Sequence, residues 1–233
     1  MAVASLKTIT MIQRTKTFVL PTSTLSGLLD PIYNEQTPTE TSDRMLLAYP
    51  LPVQRLMAMM RIVASADQTP EYFDRIFARG YDGERYGDLW GLMYDREGGH
   101  FFDLGAGELI ANGTVKVRIK VEPVAYTPTG IELSDGSQVD ADVVVFATGY
   151  NSSIKDAAIS IFGSDIGHSL QEFWQCDEEG EVRGAWKYIG HPGIWYTGHS
   201  YAHSRYYSRF VAMHIKADVD GKTIETYTDI LPV

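Results

Sequence analysis

Residues 140–150 read Asp-Ala-Asp-Val-Val-Val-Phe-Ala-Thr-Gly-Tyr, and this run constrains the fold more than any other stretch. Val143 to Ala147 is an unbroken apolar segment rich in valine. Such a run predicts a short strand covered on both faces, as found inside a parallel sheet. It stops at Ala147-Thr148-Gly149, where small residues let the backbone turn sharply or lie close to another group. Upstream, Ser134-Asp135-Gly136-Ser137 is turn chemistry between two β-rich runs. The expectation is a hairpin feeding a buried strand that ends at a glycine turn.

The rest of the chain alternates strand-like and helical texture. Ile9-Thr10-Met11-Ile12 is apolar and β-branched, with Gln13 and the basic Arg14 at its end. Phe18 to Pro21 continues extended, because a residue before proline is pushed away from helix. From Thr24 to Arg96 the pattern turns helical. Pro52 opens a helix whose apolar stripe is Val53, Leu56, Met57, Met60 and Val63. Thr69-Pro70-Glu71 combines a cap residue, a first-turn proline and an acid near the dipole's positive end, with Gly80 as the stop. Phe101–Leu104, Val115–Val121, Gly130–Leu133 and Val143–Phe146 read as strands. Residues 153–180 read as irregular or weakly helical, Ile194–Thr197 as a further buried strand, and Tyr201–Ala217 as a helix. The class is α/β with a helical insertion.

Composition excludes some functions. A net charge of −10 argues against nucleic acid or an anionic membrane as the main partner, since both require a basic surface. The single cysteine, Cys176, excludes an internal disulfide and fits a reducing compartment. No apolar run approaches the roughly 20 residues of a membrane helix. Met1–Lys7 lacks a secretory pattern, so the expected location is cytoplasmic.

Four patterns bear on chemistry. Gly198-His199-Ser200-Tyr201-Ala202 approximates a serine-hydrolase elbow with Ser200 as nucleophile, but an acid and a histidine must follow on later strands. The alternative reading uses the same turn for a flat ligand, with free amides of the following helix facing negative charge. Gly105-Ala106-Gly107 lacks the third glycine of a dinucleotide fingerprint, because Ile110 stands in its place, and reads as a turn between strands. His199 and His203 have helical metal-ligand spacing, yet the glutamate of His-Glu-x-x-His is replaced by Ser200. His168 and His191 stand alone and read as structural. The acidic neighbours of Cys176 should raise its pKa. Arg14 reads either as a phosphate-binding guanidinium or as a solvated surface residue.

With Asp142-Val143-Val144-Val145-Phe146-Ala147-Thr148-Gly149-Tyr150, the strand ending at Gln13-Arg14, Phe102-Asp103-Leu104-Gly105-Ala106 and the run from Gly193 to Ala217, the chain resembles the class B flavin-containing monooxygenases. That resemblance implies an incomplete, Rossmann-like flavoprotein fold with two dinucleotide-binding domains. Residues 1–147 would be part of an NADPH domain, with a helical insertion at about 24–100 and a β-rich segment at 101–147. Residues 148–233 would be the carboxyl-terminal part of an FAD domain. It implies FAD and NADPH as cofactors, and oxygenation of a small organic substrate through a flavin hydroperoxide in intact relatives. Arg14 would hold the NADPH 2′-phosphate, Thr148 and Gly149 would sit at the crossing between domains, and Gln13 and Tyr150 would join them as cofactor-binding residues. Gly198 and His199 would lie by the flavin ring.

The chain departs from that family by containing neither Gly-x-Gly-x-x-Gly fingerprint. His203 also stands where a glutamine belongs in the last helix. The expectation is therefore a truncated or inactive form that binds FAD weakly or not at all. The alternative is a non-catalytic binding or regulatory module that pairs with a complete homologue, or with itself, through an exposed sheet edge.

Overall fold

The computed structural model describes residues 6–149 and 153–222. In chain order the elements are β1 (Ile9–Gln13), β2 (Phe18–Pro21), α1 (Thr22–Leu29), α2 (Thr39–Leu47), α3 (Leu51–Gln68), α4 (Pro70–Phe77), β3 (His100–Asp103), α5 (Ala106–Ala111), β4 (Val115–Ile119), β5 (Pro123–Thr127), β6 (Gly130–Leu133), β7 (Gln138–Asp140), α6 (Ile154–Phe162), α7 (Ser164–Ser169) and α8 (Tyr201–Val219). A π-helical turn spans Gly91–Asp95. The mixed α/β class expected from the sequence is what the chain adopts. Contacts divide it into two units: Met1–Leu28, Ala58–Leu92 and Gly98–Tyr150, and Leu29–Met57, Met93–Glu97 and Asn151–Val233.

Among the described residues, the first unit holds all the strands. β1 pairs in parallel with β4, and β2 in parallel with β3, so a helical connection must separate each pair in sequence. β5, β6 and β7 form an antiparallel meander. Its second turn is the expected one: Asp135 Oδ1 accepts from Ser137 N at 3.0 Å and Ser137 Oγ at 2.6 Å. Val19, Ala66, Phe73, Ile76, Tyr81, Ile110 and Val115 form its main core cluster. α4 begins with Thr69 at the cap and Pro70 in the first turn, with Glu71 early and Arg75 late along the dipole.

Three expectations fail here, each for a physical reason. The Val143–Phe146 run is not a strand covered on both faces. Val143 is 77% exposed and Val145 76%, and only Val144 packs inward, on Val121, Ile131 and Leu133. A strand needs backbone partners, and among the described residues none pairs with 143–149. α3 is present, but its buried face is inverted. Leu51, Ala58, Ile62 and Ala66 are buried, while the expected stripe from Val53 to Val63 points outward. Both sets repeat at helical spacing, and the smaller one permits closer packing. Finally, Gly105-Ala106-Gly107 is no turn between strands but the start of α5.

Inversion of α3 sets up a direct test. Ile62→Ala should cost about 2–5 kcal/mol in urea unfolding, whereas Met60→Ala on the outward face should stay within about 0.5 kcal/mol. Equal losses at both positions would contradict the assignment.

Candidate functional site

In the first unit the chemistry concentrates at the turn from β3 into α5. Asp103 is buried, and its Oδ1 accepts from the Gly105 and Gly107 amides at 2.8 and 2.9 Å. Its Oδ2 accepts from Tyr72 Oη at 2.6 Å. A Cβ on Gly107 would lie 2.5 Å from both Asp103 Oδ2 and Tyr72 Oη, so only glycine admits this approach. Burial alone pushes the Asp103 carboxyl up, but the Tyr72 hydroxyl and the Gly107, Gly105 and Ala106 amides outweigh it and hold it below the usual carboxylate range. The amides at this helix start, the groups that would face a phosphate, already carry a carboxylate.

Gln13 and Arg14, at the end of β1, have partners within the chain. Gln13 is buried, and its amide clamps the chain by donating to Asp82 O at 2.5 Å and accepting from Asp82 N at 3.1 Å. The Arg14 side chain is 74% exposed and lies 3.8 Å from Glu122, whose charge competes with any phosphate. Thr148 and Gly149 are exposed, Gly149 with a left-handed φ of +77°, and Tyr150 lies outside the described residues.

The second unit carries a denser site at the start of α8. That helix is anchored by Asp43 of α2, which accepts from Arg205 Nε and Nη2 at 2.7 and 2.5 Å and from Tyr33 Oη at 2.8 Å. The Arg205 hydrogen bonds are the leading reason the Asp43 carboxyl sits below its ordinary range. Tyr207 Oη donates to Leu47 O at 2.8 Å, a second tie between α2 and α8. So held, the first turn of α8 brings His199 and His203 to a ring separation of 3.8 Å. His199 also stacks on Tyr94 at 5.4 Å and on Trp174 at 5.2 Å. Trp174 Nε1 donates to Met93 O at 2.9 Å and fixes that ring in turn.

His203 bridges two hydroxyls, with Nδ1 2.9 Å from Ser200 Oγ and Nε2 3.3 Å from Tyr94 Oη. Burial pushes the Tyr94 hydroxyl up, which keeps it a donor. A neutral imidazole that donates from Nδ1 and accepts at Nε2 suits both partners. Burial, with His199 nearby, lowers the His203 pKa to about 3. Desolvation lowers His199 as well. That residue is exposed as a whole, so the stacked ring faces, rather than complete enclosure, set the direction.

These contacts correct the hydrolase alternative. Ile194–Thr197 makes one parallel bridge, Ala185 with Tyr196, and not a strand. Ser200 has the extended φ of −89° of an N-cap; the left-handed residue, at +78°, is His199. The third member behind His203 is a tyrosine hydroxyl where a triad needs a carboxylate. Gly198 is packed so that an added Cβ would meet Phe173 Cζ at 3.0 Å. Among the described residues no group of three or more His, Cys, Asp or Glu is arranged to hold a metal. The Cys176 thiol is pushed up by burial first and by Asp177 second.

Sequence reasoning missed Asp103, Tyr94 and Trp174. Asp-Leu-Gly-Ala-Gly was a legible signal for the first, an acid poised to cap a glycine-led helix. The two aromatics lie outside any periodic pattern and had none.

No family model matches the chain. Over 130 residues it is 29% identical to the indole-3-pyruvate monooxygenase YUCCA8 of Oryza sativa subsp. indica, and equally to the protein of that name from subsp. japonica. The match covers 53% of this chain and 27% of each relative, so the chain spans about a quarter of the length of the curated relatives it matches. It is a distant, monooxygenase-like relationship. No helix among the described residues is long and apolar enough to cross a membrane.

The residues present do not fit the pyrophosphate of FAD or NADPH. The glycine turn of the first unit is sealed by Asp103, and Arg14 faces solvent beside Glu122. At α8, Ser200 Oγ accepts from His203 N at 3.4 Å, and the Trp174 and Tyr94 faces stack with His199.

Stability of the second unit should fall with acid before its carboxylates titrate. An unfolded histidine takes up a proton near pH 6.5, while folded His203 resists protonation down to about 3. The neutral pair's contribution is therefore complete above pH 6.5 and declines toward pH 4. His203→Gln should flatten that decline in unfolding midpoints measured across this range. An unchanged slope would contradict the assignment.

Proposed function

We propose that the chain is a flavin-monooxygenase-like protein whose second unit serves as a small-ligand binding module, and which by itself grips neither FAD nor NADPH. The family reading is supported by the monooxygenase relatives and by the Ala147-Thr148-Gly149-Tyr150 signature. In that reading the first unit derives from an NADPH domain and the second from the return of an FAD domain. NADPH-driven oxygenation of a small organic substrate is the activity of intact relatives.

One observation carries the cofactor-free part: Asp103 occupies the amides of the glycine turn between β3 and α5. A carboxylate there repels a phosphate and already satisfies the donors that would bind it. The chain also contains no Gly-x-Gly-x-x-Gly segment to supply a second grip.

Purified chain titrated with FAD should give no bound-flavin absorbance after desalting and should not consume NADPH. A stoichiometric yellow complex that oxidises NADPH would overturn the proposal.

A further inference from the structure

A cleft of about 320 Å³ opens beside α8 in the second unit. That volume lies at the lower end of the roughly 300–1,000 Å³ typical of small-molecule sites. Its walls include Trp174, Trp186, Tyr207 and Phe210, and its two non-histidine charged groups are Glu181 and Lys187. Lys187 Nζ is taken by Asp177 Oδ2 at 2.6 Å, so that pair is neutral as a unit. The Glu181 main chain is held in its turn by Asp177, its N donating to Asp177 Oδ1 at 2.9 Å and its O accepting from Asp177 N at 2.8 Å. Its carboxylate is half-buried and makes no side-chain hydrogen bond or close ion pair with the described residues; burial pushes it up, and Lys187 nearby pulls it partly back. Three histidines also line the cleft, and of these His199 and His203 are held neutral by burial.

Two further cations stand near these walls, and both are engaged. Arg205 is bound by Asp43, and Arg209 lies over Tyr206 at 4.3 Å and Phe210 at 5.3 Å while approaching Glu40 at 3.6 Å. Arg209 also shows that the rings of α8 accept a cation on their faces. A cleft walled by tryptophan and tyrosine, with one carboxylate that makes no close ion pair, is complementary to positive charge spread over an apolar body.

We infer that this cleft binds a small organic ammonium cation, with Glu181 as its counter-charge and Trp186 and Tyr207 as its aromatic walls. The inference rests on reading the second unit as a binding module. The bulk of the ion excludes it from sites built for metal ions, and the apolar walls discriminate against hydrated potassium or sodium.

The test uses the full chain, choline chloride as the cation, and 3,3-dimethyl-1-butanol as its uncharged isostere. Choline should quench tryptophan fluorescence saturably, the isostere should bind at least ten-fold more weakly, and Glu181→Gln should weaken choline by a similar factor. Equal binding of choline and the isostere by the unaltered protein would overturn the inference without any variant. So would full choline affinity in a Glu181→Gln protein with an unchanged circular dichroism spectrum. Adding FAD to the same samples separates the two proposals. A flavin complex that leaves choline quenching intact would overturn the cofactor-free reading alone and still support the cation site.

Discussion

The first unit depends on a buried carboxylate. Asp103 sits where β3 gives way to α5, and its two oxygens tie together the helix start and the Tyr72 hydroxyl of α4. Thr22 at the head of α1 donates to the Asp103 main-chain oxygen, so three helices and a strand meet at one residue. A buried charge is costly unless its lone pairs are met, and here amides and a phenol meet them. The same arrangement bears on the proposed function. A helix start with free amides recruits phosphate, and one that has recruited its own aspartate does not.

The second unit repeats that logic with different groups. Asp43, with Arg205 and Tyr33 on its oxygens, fixes α8 against α2, and Tyr207 reinforces the hold. With α8 fixed, His203 is placed between Ser200 and Tyr94, and His199 is stacked on Tyr94 and Trp174. The histidines are neutral structural members of an aromatic wall. Beside that wall Glu181 makes no close ion pair, and the proposed ligand chemistry follows from that.

How much of this could be read from residues alone differs by element. The start of α4 was legible from Pro70 and Glu71, which suit a first turn; Thr69 holds the cap position without capping, its hydroxyl donating to Ser65 O instead. The turn at Asp135-Gly136-Ser137 was legible for the same reason. The inward face of α3 was not. Two stripes repeat at helical spacing, and tertiary packing chose Ala58, Ile62 and Ala66 over the bulkier Met57 and Met60. Val143–Phe146 misled because apolar content reports a tendency to be covered, while strand formation also needs partner backbone. Of the candidate ligand residues, His199 stacks on Tyr94 and Trp174. Gln13 turned out to hold Asp82, and no periodicity could have joined Tyr94 and Trp174 to α8.

Asp103 already occupies the Gly105 and Gly107 amides at the β3–α5 turn, and the proposal is that it leaves them closed to a phosphate. Nuclear magnetic resonance of the Gly105 and Gly107 amides during addition of ADP, the part common to FAD and NADPH, tests it most directly. Both amide signals should stay where they are at millimolar ADP. Saturable shifts of those two signals at micromolar ADP would contradict it.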